Sequence, residues 1–222
     1  MAAAITLENV NAGYGVLQVL QDFSLTVEKG ERVAIMGRSG AGKSTLLNLI
    51  YRTFPERVAL IPQASALVAN LSVFHNVFMG RLDRHSTLYN LRTLIWPAAR
   101  EIATVQDVLL AVGMSDKLFV KAGELSGGQQ QRVSVARAIY NGRPVLVGDE
   151  PVSALDRVQS GDVLRLLSER HETAIFAMHD IRLALENTDR IVLIEHGRIV
   201  LDEPSGLLSY GRLLPYFEGE LV

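Results

Sequence analysis

The chain has 222 residues, a formal net charge of −2, 48% hydrophobic and 21% charged residues, and no cysteine. That length accommodates one large domain or two small ones with a substantial core, and the charge balance argues against a general nucleic-acid-binding surface. Without cysteine, disulfides, zinc-thiolate sites and thiol catalysis are excluded.

Met1-Ala2-Ala3-Ala4 leads into a strand-like pattern with no basic start and long apolar run, so no signal peptide is expected. Nor is there an apolar run of roughly 18 residues, so the sequence predicts no membrane-spanning helix. Ile5, Leu7 and Val10 begin a first strand; Phe23, Leu25 and Val27 alternate with polar residues and predict a second, half-buried one. The turn Glu28-Lys29-Gly30-Glu31 precedes a buried strand over 32–36.

Gly37-Arg38-Ser39-Gly40-Ala41-Gly42-Lys43-Ser44-Thr45 follows that strand and fits G-x-x-x-x-G-K-[ST], the phosphate-binding loop of nucleotide-hydrolysing proteins. The run Leu46-Leu47-Asn48-Leu49-Ile50 predicts a helix ending near Pro55. Three glycines let the backbone N–H groups turn toward phosphate oxygens, and the helix start adds orphan donors. Lys43 would reach the β- and γ-phosphates, and the Ser44 hydroxyl would hold Mg²⁺. The strand–loop–helix context favours this reading over a ligand-free glycine turn.

A short strand over 58–61 ends at Pro62-Gln63. From about 64 to 123 the texture changes to a helical insert. There Ser72 is a candidate cap for Val73, Phe74, Val77 and Phe78, and Ile102, Val105, Val108, Leu109 and Val112 recur at helical spacing before Gly113. Strands over 145–147, 173–178 and 191–194, separated by helical stretches, predict a doubly wound sheet. His196-Gly197 is a candidate hairpin turn.

The phosphate loop alone leaves the function open. Leu125-Ser126-Gly127-Gly128-Gln129, followed by Gln130-Gln131-Arg132-Val133 and then by the apolar run to Asp149-Glu150, narrows it. With these motifs in order over nearly its whole length, the chain resembles the nucleotide-binding subunit of an ATP-binding cassette (ABC) transporter. The resemblance implies an α/β fold: a phosphate-loop NTPase core with a mostly parallel sheet, a reduced antiparallel β-subdomain, and a helical subdomain at about 64–123 inserted in a single domain spanning 1–222.

It also implies roles. Residues Gly37, Arg38, Ser39, Gly40, Ala41, Gly42, Lys43, Ser44 and Thr45 would hold the triphosphate. Ser126, Gly127, Gly128 and Gln129 would face the γ-phosphate bound by the other subunit, with Ser126 capping a helix. Asp149, Ser44 and Gln63 would hold Mg²⁺. Glu150 would orient or deprotonate the attacking water, with His179, Gln63 and Lys43 completing the catalytic set. The alternative for Asp149 and Glu150 is capping the next helix, but the following Pro151 and Ser153-Ala154-Leu155-Asp156 match the family's loop across the dimer interface. Tyr14 resembles the aromatic on which adenine stacks; a tyrosine packing locally at a strand edge is the alternative. Gly148 stands where many members carry Ala, a small-for-small exchange. His75, His85, His171 and His196 have no such support and are read as surface or packing residues.

Two features depart from the common pattern. Gln63 lies only 20 positions after Lys43, so the usual glycine-rich hairpin between these motifs is expected to be absent. Gly80-Arg81-Leu82 with Ser86-Thr87-Leu88-Tyr89-Asn90-Leu91 lengthens the helical insert and resembles the ATPases of phosphonate importers. The implied protein is a peripheral ATPase at the cytoplasmic face of the inner membrane. It would use ATP and Mg²⁺, form a homodimer, and engage integral membrane permease subunits and a periplasmic or extracellular binding protein, with no nucleic acid partner. Its implied cargo is a phosphonate or related oxyanion. An ATPase of another importer or exporter, a non-transport ABC ATPase and a non-catalytic regulatory relative are the alternatives. The last should lack Lys43, Glu150 or His179, and all three are present.

Overall fold

Alternation of apolar and polar residues makes the N-terminal segment an antiparallel pair, β1 (Ala3–Tyr14) and β2 (Leu17–Glu28), in the computed structural model, which describes residues 2–15 and 17–217. Ile5 faces Val27, Leu7 faces Leu25 and Val10 faces Phe23 across the ladder. All but Val10 are buried, so one face of this ribbon joins the core. A register shift between Leu7 and Val10 accompanies a positive φ of 49° at Asn9, where the strand is locally bulged.

Six further strands form one sheet: β3 (Arg32–Met36), β4 (Val58–Ile61), β5 (Val145–Asp149), β6 (Thr173–Ala177), β7 (Arg190–Glu195) and β8 (Arg198–Pro204). Their spatial order is β4-β5-β6-β3-β7-β8, parallel throughout except for β7 with β8. Continuous apolar runs fit this burial: every residue of β5 and β6 is buried, as expected for parallel strands covered on both faces. The expected hairpin closes at His196 and Gly197, whose φ values of 48° and 74° are what a tight two-residue turn needs.

The helices are α1 (Lys43–Thr53), α2 (Val73–Phe78), α3 (Thr87–Ile95), α4 (Ala99–Ala111), α5 (Gly127–Asn141), α6 (Arg157–Arg170), α7 (Ile181–Asn187) and the short α8 (Tyr210–Leu213). Between α1 and β4 only residues 54–57 intervene, so no hairpin lies there, and β1 with β2 is the whole antiparallel subdomain among the described residues.

Two compact units result. The first comprises the described parts of 1–63, 143–151 and 157–222; the second comprises 64–142 and 152–156. The first holds both sheets. Its core joins Ile5, Phe23 and Leu25 of the ribbon to Ile35, Leu46, Ile50, Val147 and Ile175.

The second unit is helical. Ser72 caps α2, as its sequence context predicts, accepting from the His75 N–H. Val73, Phe74, Val77 and Phe78 are buried with Val105, Leu109 and Val133. A polar cluster is also enclosed. The Glu101 carboxylate is 8% exposed and accepts from the hydroxyls of Tyr140 at 2.6 Å and Tyr89 at 3.1 Å. Burial, with these bonds, pushes the Tyr140 phenol well above its ordinary value. The Arg81 guanidinium lies 4.3 Å above the Tyr140 ring, so Arg81 of the lengthened insert anchors it to α5.

Candidate functional site

Parallel pairing brings the carboxyl ends of neighbouring strands to one edge of a sheet, where ligands of open α/β folds sit. Here β3 runs into Gly37, β4 leads to Gln63, β5 ends at Asp149 with Glu150 next in the chain, and β6 leads to His179. Residues hundreds of ångströms of extended chain apart thus meet because four strands run the same way.

The phosphate loop spans the gap between β3 and α1. At Gly37 φ is 143°, and a Cβ there would lie 2.2 Å from the Ile194 carbonyl oxygen, so no side chain fits. The Ala41 N–H donates to the Arg38 carbonyl at 3.1 Å and closes the loop. Arg38, Ser39 and Gly40 are exposed, whereas Lys43 is only 7% exposed. The Lys43 ammonium donates to the loop's own carbonyls, Gly37 at 2.7 Å and Arg38 at 3.0 Å. The cation is therefore held over the concave side of the loop by oxygens that a phosphate would outcompete.

Beside it, the Ser44 hydroxyl lies close enough to the Asp149 carboxylate to act on its ionisation. Asp149 is 7% exposed. Desolvation raises its pKa and the neighbouring Glu150 adds to this, while the Ser44 hydrogen bond, Lys43 and His179 act in the opposite sense. A hydroxyl, a buried carboxylate and the nearby Gln63 amide make a hard oxygen donor set, the chemistry that suits Mg²⁺ when phosphate and water oxygens complete the shell. A cation would also relieve the cost of the buried charge.

Glu150 is the centre of a second cluster. Its Oε1 accepts from His179 Nε2 at 2.7 Å and from Gln63 Nε2 at 3.3 Å. The residue has a φ of 52°, uncommon for a side chain of this size, and its N–H is tied to the Ala177 carbonyl at 3.1 Å. Backbone strain of this kind concentrates at functional sites. The structure brings Gln63, Glu150 and His179 together, and Ser44, Asp149 and Lys43 beside one another, all in the first unit. Tyr14 ends β1, and its side chain lies outside the described residues.

Residues Ser126 to Gln129 belong to the helical unit. Ser126 is the N-cap of α5, as expected, and more: its hydroxyl accepts from the Gln129 N–H at 3.4 Å while Gln129 Oε1 accepts from the Ser126 N–H at 3.0 Å. This reciprocal capping box fixes the glycine-rich start of α5. Among the other histidines, His171 is buried, its Nδ1 bonded to the Arg143 carbonyl at 2.8 Å, and His75 and His85 contact aromatic rings.

Sequence reasoning missed Gln131. Its buried amide accepts from the Ala154 N–H at 2.7 Å and donates to Ser153 Oγ at 3.4 Å, fixing the loop after Glu150 and Pro151 to α5. The signal was present: Gln131, Val135 and Ala138 recur at helical spacing and share the buried face. Arg137 on the same helix donates to the carbonyls of Ser65 and Ala66, the segment after Gln63.

Known proteins share the sequence pattern and the fold of this chain. The family model described as ABC transporter matches residues 20–153. The chain is 37% identical to the phosphonates import ATP-binding protein PhnC of Pseudomonas entomophila, over 91% of this chain and 87% of that protein. It is 33% identical to the PhnC of Anaeromyxobacter dehalogenans, over 97% of this chain but only 48% of that longer protein. It is also 38% identical to the macrolide export ATP-binding/permease protein MacB of Bartonella henselae, over 91% of this chain and 34% of that protein. A dimeric ATP-binding cassette solved in a post-hydrolysis state with ADP and Pi superposes with a TM-score of 0.73 at 25% identity, covering 90% of this chain and 98% of that one.

Proposed function

The chain belongs to the ABC transporter family as one of its ATPases, and on that premise we propose that it is the dimeric nucleotide-binding subunit of an importer for a phosphonate or related oxyanion. The observation that carries the catalytic part is the Glu150 carboxylate held between His179 and Gln63, beside the Ser44–Asp149 pair.

In this reading residues 37–45 bind the triphosphate. Lys43 exchanges the Gly37 and Arg38 carbonyls for β- and γ-phosphate oxygens. Ser44, Asp149 and Gln63 would hold Mg²⁺, which supplies charge neutralisation between the β- and γ-phosphates. Glu150 orients and accepts a proton from the attacking water, and His179 keeps the carboxylate aimed. Ser126, Gly127, Gly128 and Gln129 complete the site of a second copy through the start of α5, and Tyr14 stacks on adenine. ATP joins two chains because both surfaces bind it only when closed. Loss of the γ-phosphate lets them part, an order-changing switch of the kind nucleotide hydrolysis drives elsewhere.

The chain then acts as a single nucleotide-binding domain with a helical subdomain inserted from about 64, the helical unit running on to 142 and taking in 152–156. It sits at the cytoplasmic face of the membrane against permease subunits, fed by a periplasmic or extracellular binding protein. Among the described residues no helix is long and apolar enough to cross a membrane, in keeping with a peripheral place. Support for the cargo is the lengthened insert at 80–91 and the phosphonate-import names of the relatives in Pseudomonas and Anaeromyxobacter. The MacB likeness favours a second reading, export.

The test is a reconstituted transporter containing this subunit with the permease and binding protein encoded beside it. ATP turnover should rise when a phosphonate-loaded binding protein is added and stay basal with the empty protein. Turnover that responds instead to a macrolide, with no binding protein present, would establish the export reading.

A further inference from the structure

Helix α3 is inside out. Its inward positions are polar: Tyr89 OH donates to Glu101 Oε1, Asn90 Nδ2 donates to the Leu82 carbonyl at 2.9 Å, and Thr93 is 1% exposed. Its outward positions are apolar: Leu88, Leu91, Leu94 and Ile95, then Trp96, are between 49% and 79% exposed. In a water-facing helix the two sets would be exchanged, so the outward side of α3 is built for a non-aqueous neighbour.

Charge narrows what that neighbour is. From position 84 to position 100 the sequence has no Asp or Glu, and Arg84, Arg92 and Arg100 are all exposed, although the chain as a whole is net negative. Arg92 lies one helical turn from Leu88 and one turn from Ile95 and Trp96, on the apolar side itself. A symmetric contact with a second copy would set these arginines against one another. An apolar groove on a protein would match the leucines but gives no reason for three exposed arginines in the acid-free stretch 84–100, which exposed Asp83 adjoins. A surface of anionic lipid satisfies both: side chains such as Leu, Ile and Trp enter the headgroup boundary while arginines meet phosphates.

We infer that α3 is an interfacial helix that lays the exposed Leu88, Leu91, Ile95 and Trp96 into an anionic membrane surface, with Arg84, Arg92 and Arg100 on lipid phosphates. This contact is separate from any with a permease and does not depend on the cargo.

Trp96 is the sole tryptophan, so its fluorescence reports on this face alone. The purified chain is titrated with phosphatidylcholine vesicles, with and without about one third phosphatidylglycerol. Anionic vesicles should shift Trp96 emission to the blue, brominated lipid should quench it, and high salt should reverse the effect. Leu91→Gln with Ile95→Gln, and separately Arg92→Glu, should weaken vesicle flotation by about tenfold or more. Both variants should keep the wild-type melting temperature and solution ATP turnover, because they point away from the core and the nucleotide site. An unshifted Trp96 with anionic vesicles overturns the inference and leaves a protein partner as the occupant. Equal binding to neutral vesicles overturns the role of the arginines. A blue shift that grows with protein concentration in the absence of lipid assigns the face to self-association instead.

Discussion

Gly37→Ala offers the sharpest quantitative test of the phosphate loop. Two costs add at this position. The φ of 143° lies in a region essentially reserved for glycine, worth about 1–3 kcal/mol for an L-residue. The new methyl would also start 2.2 Å from the Ile194 carbonyl oxygen, a backbone atom that cannot rotate away, and overpacking of that order costs about 1–3 kcal/mol. The sum, roughly 2–6 kcal/mol, is a large part of the about 5–15 kcal/mol that holds a domain together. At about 2–4 °C per kcal/mol for a chain of this size, Tm should fall by roughly 4–24 °C. Gly40→Ala is the comparator: φ is 77°, but no heavy atom lies within 4 Å of the new Cβ, so only left-handed strain of about 1–2 kcal/mol applies. Urea denaturation of the two variants measures both. Equal losses, or a larger loss for Gly40→Ala, would refute the steric argument and with it the described path of the loop against β7.

Asp149→Asn should raise the Tm of the ligand-free protein while abolishing ATP turnover. Its folded pKa is raised, so the fold is favoured by the protonated form and loses stability as pH climbs through the carboxylate range. The amide removes that loss, and the gain should shrink as pH is lowered; an unchanged Tm at neutral pH would contradict the desolvation argument. Ser126→Ala breaks the capping box and should cost about 1 kcal/mol of stability. Nucleotide affinity of the isolated subunit should be unaltered while turnover falls, as equilibrium binding and steady-state assays can separate. Lys43→Ala should strongly weaken nucleotide binding and end hydrolysis, read by calorimetry and phosphate release.

The sequence made the local architecture legible wherever chemistry is local. The glycines and Lys-Ser of 37–45 between a strand and a helix, the turn at His196-Gly197, and the caps at Ser72 and Ser126 all follow from turn and helix-end preferences, and the structure has them. The short Lys43–Gln63 span foretold the missing hairpin by simple chain length. What stayed illegible is set by tertiary pairing. Nothing local says that β5 and β6 lie between β4 and β3, yet that order is what carries Gln63, Glu150 and His179 to one carboxylate oxygen. The positive φ of Glu150 is equally hidden, because glutamate gives no turn signal. The inward turn of Tyr89 and Asn90 is hidden too, because it depends on Glu101 and the Leu82 carbonyl being there to receive them.

The central claim is that Glu150 activates water in a site two chains share. Glu150→Gln keeps the side-chain shape, removes the charge that His179 and Gln63 now bracket, and leaves the loop at 37–45 intact. Loss of a general base costs about 10²–10⁴-fold in rate, so turnover should fall by that order while ATP binding persists. With Mg-ATP the variant should run as a dimer in size-exclusion chromatography and as a monomer without nucleotide. A variant that hydrolyses ATP at the wild-type rate, or that binds ATP and remains a monomer, would contradict the account.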